Sequence, residues 1–177
     1  MDGSAAQFGG MKHTNDNMMK IGIDIGRVII GPVVNGREDT SFLGKRLEDA
    51  LHTPPAEGAI EGVAELVERS RGQAWLISKC GPGVQAKTRA WLQHQAFWRR
   101  TGMPREHLRF CLKRPDKALH ARQLRLTAMI DDRVDVLQHL DGIVGQRLLF
   151  GEQSRPAPGW AITVADWAAV RAWAAAA

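Results

Sequence analysis

Five residues that can bind metal or phosphate occur in a fixed order along the chain. Asp24 ends one apolar run, and Ser78 ends a second. Lys117 opens a helical stretch, and the pair Asp131 and Asp132 ends the apolar run that follows it. Carboxylates clustered in a partly buried crevice are costly to keep ionised, and a hard cation such as Mg²⁺ takes oxygen ligands of this kind. With a lysine and a hydroxyl beside them, these residues predict a site for a metal-bridged anionic group.

Each of these features is ambiguous when it is taken alone. An aspartate at a strand end is commonly a turn or helix cap, and a serine there is commonly a turn residue. An Asp-Asp pair is commonly a surface feature, and a single lysine such as Lys117 is commonly a solvated helix residue. The prediction therefore depends on the joint occurrence of these residues in this order.

The elements that must position these residues alternate between short apolar strands and helices. Near-continuous apolar runs favour strands that are buried on both faces, and strand–helix alternation favours a parallel sheet. We expect an α/β, three-layer Rossmann-like fold with a mostly parallel central sheet flanked by helices. The carboxyl ends of parallel strands meet at one edge, where such sheets bind ligands, so the reactive residues can converge there. The predicted strands are Lys20–Asp24 with Val28–Ile30, Ala74–Ser78, Leu108–Leu112, Thr127–Asp131 and Arg147–Phe150.

Between the predicted strands, apolar residues recur at helical spacing. This spacing predicts helices that begin near Ile60, near Val84 with continuation to Trp98, and at Val134. Thr163 is a candidate N-cap for an Ala- and Trp-rich C-terminal helix.

Two segments lack this regular pattern. Residues 1–18 are rich in Gly, Asn and Met, and we expect a disordered leader or expression remnant ahead of one domain at 19–177. The stretch 31–55 contains an Asn-Gly turn signal and a short helix within 42–51, and we expect it to carry a lid or substrate contacts.

Length and composition are those of a soluble globular protein. The chain has 177 residues, of which 44% are hydrophobic and 24% charged, enough for one domain with a substantial core. No apolar run approaches the ~20 residues of a membrane helix, and the N-terminus lacks the pattern of a secretory signal. With only Cys80 and Cys111 there is no disulfide framework, so we expect a cytoplasmic protein with reduced thiols that does not act at a membrane.

The net charge is +5, and the excess of basic residues lies mostly between Arg99 and Arg125. A solvated basic face and a surface for an anionic partner, either a nucleotide or a nucleic acid, are both compatible with this pattern. A nucleic-acid-binding module commonly adds exposed aromatic residues for stacking, and the chain contains no tyrosine. The nine basic residues concerned are Arg99, Arg100, Arg105, Arg109, Lys113, Arg114, Lys117, Arg122 and Arg125.

Over about residues 20–150, the order of strand-Asp, strand-Ser, Lys and strand-Asp-Asp resembles the haloacid dehalogenase (HAD) superfamily. Leu76-Ile77-Ser78 and the segment 130–135 are most similar to its small 5′-nucleotidase-like and deoxyribonucleotidase-like members. The resemblance implies that Asp24 is a nucleophile that becomes a phosphoaspartate. It also implies that Ser78, Lys79 and Lys117 bind the phosphoryl group, with Lys117 stabilising the nucleophile and the developing charge.

The same resemblance implies a Mg²⁺ site. Its ligands would be Asp24, the backbone carbonyl of Gly26, and Asp131 and Asp132, which would each hold the ion directly or through water. The implied activity is a Mg²⁺-dependent phosphomonoester hydrolase or phosphotransferase, which acts through an aspartyl-phosphate on a phosphorylated small molecule. Nucleotides are among the candidate substrates.

The chain departs from this pattern at Gly26, where hydrolytic members carry an aspartate that acts as general acid and base. Such help is worth roughly 10²–10⁴ in rate. His52, in the irregular stretch, is one candidate for a compensating acid. The alternative interpretations are a catalytically impaired HAD-like protein that binds phosphate and metal, or has a regulatory role, and a basic nucleic-acid-binding module.

The short spacing between Asp24, Ser78 and Lys117 leaves no room for a large cap domain. We therefore expect an open site, of the kind that capless relatives use for larger substrates or complete by forming homo-oligomers. Several residues of the basic stretch are candidates to bind an anionic substrate at such a site. They are Arg99, Arg100, Arg105, Lys113 and Arg114.

Overall fold

The computed structural model describes residues 18–31 and 42–177. Within these residues the strands are β1 (Ile21–Ile23), β2 (Ala74–Lys79), β3 (Leu108–Cys111), β4 (Ala128–Asp131), β5 (Gln146–Phe150) and β6 (Ile162–Val164). They form one sheet in the order β3-β2-β1-β4-β5-β6, and every neighbouring pair is parallel. The prediction of a mostly parallel α/β sheet is confirmed.

Helices connect the strands. They are α1 (Leu47–Leu51), α2 (Ala59–Arg69), α3 (Pro82–His94), α4 (Phe97–Thr101), α5 (Lys117–Leu124), α6 (Val134–Gln138) and α7 (Trp167–Ala176). Short 3-10 turns at Arg105–His107 and Arg114–Asp116 precede β3 and α5. No helix among the described residues is both long enough and apolar enough to cross a bilayer.

The sheet is buried on both faces because its side chains alternate between two cores. Ile21 and Ile23 of β1 belong to the first core, which α2, α3, α4 and α7 cover. Ile77 and Met129 belong to the second core, under α5 and α6. Helix, sheet and helix thus form the three layers that the apolar strand runs predict.

The central position of β1 brings the distant reactive residues together. Its register places Ile23 beside Leu76 of β2 and beside Ile130 of β4. The next residue, Asp24, donates its backbone N–H to the carbonyl of Ile130 over 2.9 Å. The carboxyl ends of β2 and β4 therefore lie on either side of Asp24.

Two strand predictions differ from the structure. Val28–Ile30 is a turn rather than strand, because the N–H groups of all three residues bond to the carbonyl of Ile25. Their apolar side chains are buried without belonging to the sheet. The sequence analysis did not predict β6, a three-residue edge strand in which only Val164 is buried.

Two helix predictions also need correction. Thr163 lies inside β6, and the N-cap of α7 is Asp166, whose side chain accepts from the N–H of Ala169 over 2.8 Å. Trp98 belongs to α4, because Ala96 adopts a left-handed conformation that separates α3 from α4. In the irregular stretch α1 forms within the predicted 42–51 segment, whereas 32–41 and nearly all of the predicted leader lie outside the described residues.

Candidate metal and phosphoryl site

Three carboxylates meet at the carboxyl edge of the sheet. Asp24 follows β1, Asp131 ends β4, and Asp132 comes directly after it. Each offers an oxygen atom that lies within 4.8 Å of the others. Asp24 is 7% exposed and Asp131 is fully buried, so the cluster lies in an environment where unpaired negative charge is unfavourable.

Lys117, the first residue of α5, lies between two of these carboxylates. Its Nζ donates to Oδ1 of Asp24 over 2.5 Å and to Oδ2 of Asp131 over 2.7 Å. Burial alone would lower the pKa of Lys117, but the charges of Asp131 and Asp24 together raise it above its ordinary value. The lysine is therefore a permanent cation, and it fixes the relative positions of the two carboxylates.

Asp131, the last residue of β4, and Asp132, the residue after it, differ in their partners. Asp131 accepts the backbone N–H of Arg133 at Oδ1 over 3.1 Å, and burial raises its pKa although Lys117 opposes the shift. Burial also raises the pKa of Asp132, to about 6; the charge of Asp24 adds to this effect and Arg27 opposes it. Both shifts reflect carboxylates that lack enough positive charge in the protein alone.

Ser78 and Lys79 form the opposite wall. Ser78, the penultimate residue of β2, is buried, and its Oγ lies 4.0 Å from Sγ of Cys80. Lys79 is exposed, and both residues line the same cleft as Asp24. Burial raises the pKa of the Cys80 thiol, which disfavours the reactive thiolate form.

These residues surround a cleft of about 280 Å³. Gly26 and Arg27 line it where the chain leaves β1, and Arg27 adopts a left-handed backbone conformation with φ of 60°. Arg114 lines it on the side of α5. A volume of this size holds a phosphoryl group and part of a small organic molecule.

Comparison with solved structures identifies proteins of the same architecture. A D,D-heptose 1.7-bisphosphate phosphatase from B. bronchiseptica, solved with magnesium and phosphate, superposes with a TM-score of 0.60 at 14% identity, covering 88% of this chain and 97% of that chain. A HAD-superfamily hydrolase from Ehrlichia chaffeensis gives 0.56 at 11% identity, covering 89% and 96%. A haloacid dehalogenase-like hydrolase from Xanthomonas campestris gives 0.55 at 13% identity, covering 90% and 99%. No family model and no curated protein sequence matches the chain.

The chain has a HAD-like fold. All of the site residues predicted from the sequence line the one cleft of this HAD-like sheet. They are Asp24, Gly26, Ser78, Lys79, Lys117, Asp131 and Asp132.

Other sequence candidates lie elsewhere in the HAD-like fold. His52 is exposed at the end of α1, where its Nδ1 contacts the carbonyl of Glu48 over 2.7 Å, and it does not line the cleft. Arg100 forms an ion pair with Glu61 over 3.1 Å. Arg105 precedes β3 and therefore lies at the amino edge of the sheet. Of the five basic residues considered for substrate binding, only Arg114 lines this cleft.

Sequence reasoning missed the residues that the loops contribute. Arg27 lines the cleft directly after Gly26, and Gln153 donates from Nε2 to the carbonyl of Asp132 over 3.3 Å. Neither residue ends an apolar run, so periodicity carries no signal for it. Only the adjacency of Arg27 to Asp24 and Gly26 offered a clue.

Proposed function

We propose that the protein is a Mg²⁺-dependent phosphomonoester hydrolase that acts through an aspartyl-phosphate formed on Asp24. The observation that carries the proposal is the buried ammonium group of Lys117, held between Asp24 and Asp131 at the carboxyl edge of a parallel sheet. This arrangement places a cation against Asp24 at the wall of the cleft, which suits a carboxylate nucleophile. The fold shared with a phosphatase solved with magnesium and phosphate is consistent with this function.

The donor set fits Mg²⁺. The cluster of Asp24, Asp131 and Asp132 offers only carboxylate oxygen, the ligand type that Mg²⁺ prefers. The raised pKa values of Asp131 and Asp132 indicate that a further cation would stabilise their charged forms. We assign these three side chains and the carbonyl of Gly26 as the residues that would hold the ion. When bound, the ion would supply positive charge to the transferring phosphoryl group.

The remaining chemistry belongs to the side chains. A carboxylate oxygen of Asp24 attacks phosphorus, the ester P–O bond breaks, and the leaving oxygen takes a proton from water. Water then attacks the phosphoaspartate, which releases inorganic phosphate and restores the Asp24 carboxylate. Ser78 donates to the phosphoryl oxygens, and Lys117 balances the charge that develops on them.

The substrate that we propose is a phosphorylated small molecule, with nucleotides among the candidates. The cleft volume of about 280 Å³ supports this class. The basic stretch does not favour a nucleic acid, because Lys117 is buried in the cluster and Arg105 lies at the other edge of the sheet. An open site without a large cap remains our prediction.

Gly26 favours a second candidate function, a protein that binds phosphate and metal without turnover. The residue lines the cleft and has no side chain that could act as an acid or a base. With glycine there, protonation depends on water, and the loss is roughly 10²–10⁴ in rate. The two candidates differ in whether the phosphoester bond is broken.

Phosphate release separates these two functions. The test uses nucleotides, sugar phosphates and an activated aryl phosphate, with Mg²⁺ and with EDTA. We expect release that requires Mg²⁺ and disappears in the Asp24→Asn variant. Asp141→Asn is the matched control, since Asp141 lies outside the cleft and pairs with Arg147 over 2.9 Å. Release no higher than in Asp24→Asn, across all substrates, would reject the hydrolase in favour of the binding protein.

A further inference from the structure

A second cleft of about 510 Å³ opens beside the candidate site. Arg27, Asp132 and Arg133 line both clefts, so the two spaces are adjacent. The far wall of the second cleft comes from the loop between β5 and β6, which contributes Gln153 and Arg155. We call the space between Arg27, Gln153 and Arg155 the distal subsite.

The residues of 18–31 and 42–177 that line the distal subsite carry more positive than negative charges. Its walls carry Arg27, Arg133 and Arg155 against Asp132 and Asp135. Asp135 is already paired, with Arg133 over 3.2 Å and with Arg114 over 3.7 Å, and Asp132 belongs to the carboxylate cluster. Within residues 18–31 and 42–177, neither Arg27 nor Arg155 forms a salt bridge. Among the described residues these two guanidinium groups are therefore available to bind an anion, although Arg27 also acts on the charge of Asp132.

The backbone at Arg27 adopts a conformation that is unfavourable for a residue with a side chain. A φ of 60° is the left-handed region, which glycine occupies without cost and arginine does not. Strained residues of this kind are concentrated at functional sites. Arg71, Ala96 and Arg125 also have positive φ, so what distinguishes Arg27 is that it follows Gly26 directly and lines both clefts.

The loop that carries Arg155 is fixed to the candidate site. Nε2 of Gln153 donates to the carbonyl of Asp132 over 3.3 Å and to that of Phe150 over 3.1 Å. Pro156 and Pro158 restrict the backbone directly after Arg155. A loop held in this way places its arginine without a large entropic cost on binding.

We propose that the distal subsite binds a second anionic group of the substrate, a phosphate or a carboxylate, while the transferred phosphoryl group lies at Asp24. The inference depends on the proposed function for the identity of the reacting group. It adds a class of substrate: phosphomonoesters that carry another anion a few bonds from the reacting phosphate. Arg27 and Arg155 are the specificity-determining residues.

Matched substrate pairs test the proposal. Fructose 1,6-bisphosphate is compared with fructose 6-phosphate for a phosphate, and 3-phosphoglycerate with glycerol 3-phosphate for a carboxylate. A charge-assisted hydrogen bond is worth about a factor of ten or more. We therefore expect kcat/KM to be about tenfold higher for the doubly anionic member of at least one pair, mainly through a lower KM. The pair that shows it identifies the anion.

Arginine variants connect this preference with the subsite. We expect Arg155→Ala and Arg27→Gly to reduce the ratio of kcat/KM within the pair to near one. Glycine is the residue that a φ of 60° favours, so loss of preference in Arg27→Gly is not explained by unfolding. Arg105→Ala, which removes the same charge at the amino edge of the sheet, should leave the ratio as it is.

A binding measurement separates this inference from the proposed function. Calorimetry with the Mg²⁺-loaded Asp24→Asn protein gives the affinities for both members of each pair without turnover. Tighter binding of the doubly anionic member, lost in Arg155→Ala, supports the subsite even where no phosphate is released by the unmodified protein. Equal affinities within both pairs, or a preference that survives both arginine substitutions, would overturn it.

Discussion

Gly26 limits what the carboxylate cluster can do chemically. It lines the cleft, and it is not among the glycines with positive φ, so its backbone conformation does not itself require glycine. In the proposed reaction Asp24 is the nucleophile and Lys117 supplies positive charge, whereas glycine at position 26 offers no group that can transfer a proton. Under the proposed function, leaving-group protonation is therefore the step that position 26 does not assist.

The first prediction is a gain of activity in Gly26→Asp. The added carboxyl group can protonate the leaving oxygen and then activate water, so we expect kcat on an alkyl phosphate to rise roughly 10²-fold. The rise should be much smaller on an activated aryl phosphate, whose leaving group needs no proton. Steady-state phosphate release with Mg²⁺ measures both.

Gly26→Asn is the matched control, because it adds a side chain of the same size that cannot transfer a proton. An equal rise in Gly26→Asn, or no rise in Gly26→Asp on either substrate, would contradict a role for this position in acid–base chemistry. The comparison also separates proton transfer from simple filling of the cleft.

Residue types and order predicted the central part of the site. Asp24, Ser78 and Asp131 end apolar runs, and the parallel sheet brings such ends together. Arg27 and Arg155 could not be predicted, because they lie in turns whose path depends on tertiary hydrogen bonds. The strand prediction for Val28–Ile30 failed for the same reason, since burial of apolar residues does not require a sheet.

At the scale of elements, α7 supports the turn that follows Asp24. The indole Nε1 of Trp167 donates to the carbonyl of Val28 over 2.7 Å, across 139 residues of sequence. The ring lies against Gly62 of α2, where an added Cβ would be only 2.3 Å from Cε3 of Trp167. The absence of a side chain at Gly62 therefore allows α7 to reach the site-bearing turn.

The second prediction is that Gly62→Ala disturbs the packing of Trp167 and lowers the stability of the protein. The added methyl group must displace a fully buried indole ring, so we expect a loss of about 1–3 kcal/mol in the free energy of unfolding. For a chain of this size that corresponds to a fall of roughly 2–10 °C in the thermal midpoint, measurable by circular dichroism.

Gly83→Ala serves as the control for the second prediction. Gly83 is also helical, but an added Cβ there meets no heavy atom of the described residues within 4 Å. We expect no loss of stability in this variant. A fall in midpoint equal to that of Gly62→Ala would show that helical glycines matter here for a reason other than the contact with Trp167.

At the scale of the whole molecule, the carboxylate cluster couples stability to pH. In the metal-free protein the pKa of Asp132 is raised to about 6 and that of Asp131 is also raised, so folding favours their protonated forms. This contribution is present below the ordinary aspartate pKa of about 4, and it is lost as pH rises through about 6. The proposed Mg²⁺ would bind the ionised forms, so its stabilising effect should have the opposite dependence on pH.

The third prediction follows from this coupling. The difference in thermal midpoint between protein with Mg²⁺ and protein with EDTA should be small near pH 5 and should grow to a plateau above about pH 7. Scanning calorimetry across this range measures it. Asp132→Asn should flatten the dependence, whereas a difference that does not change with pH in the unmodified protein would remove Asp132 from the metal site.

The sheet order also determines how much of the chain must be synthesised before the candidate site can form. β1 is the first strand of the sheet, but its neighbours β2 and β4 come later in the chain, and Lys117 lies 93 residues after Asp24. A nascent chain that ends before Ile130 lacks a complete β4 and both residues of the aspartate pair. In such a chain β1 can pair with β2 but not with β4. Parallel sheets built from such distant contacts fold slowly, with unpaired strands exposed to aggregation. During synthesis the buried strand β1 therefore has at most one of its two neighbouring strands until the chain extends past β4, and we expect aggregation to compete with folding in this interval.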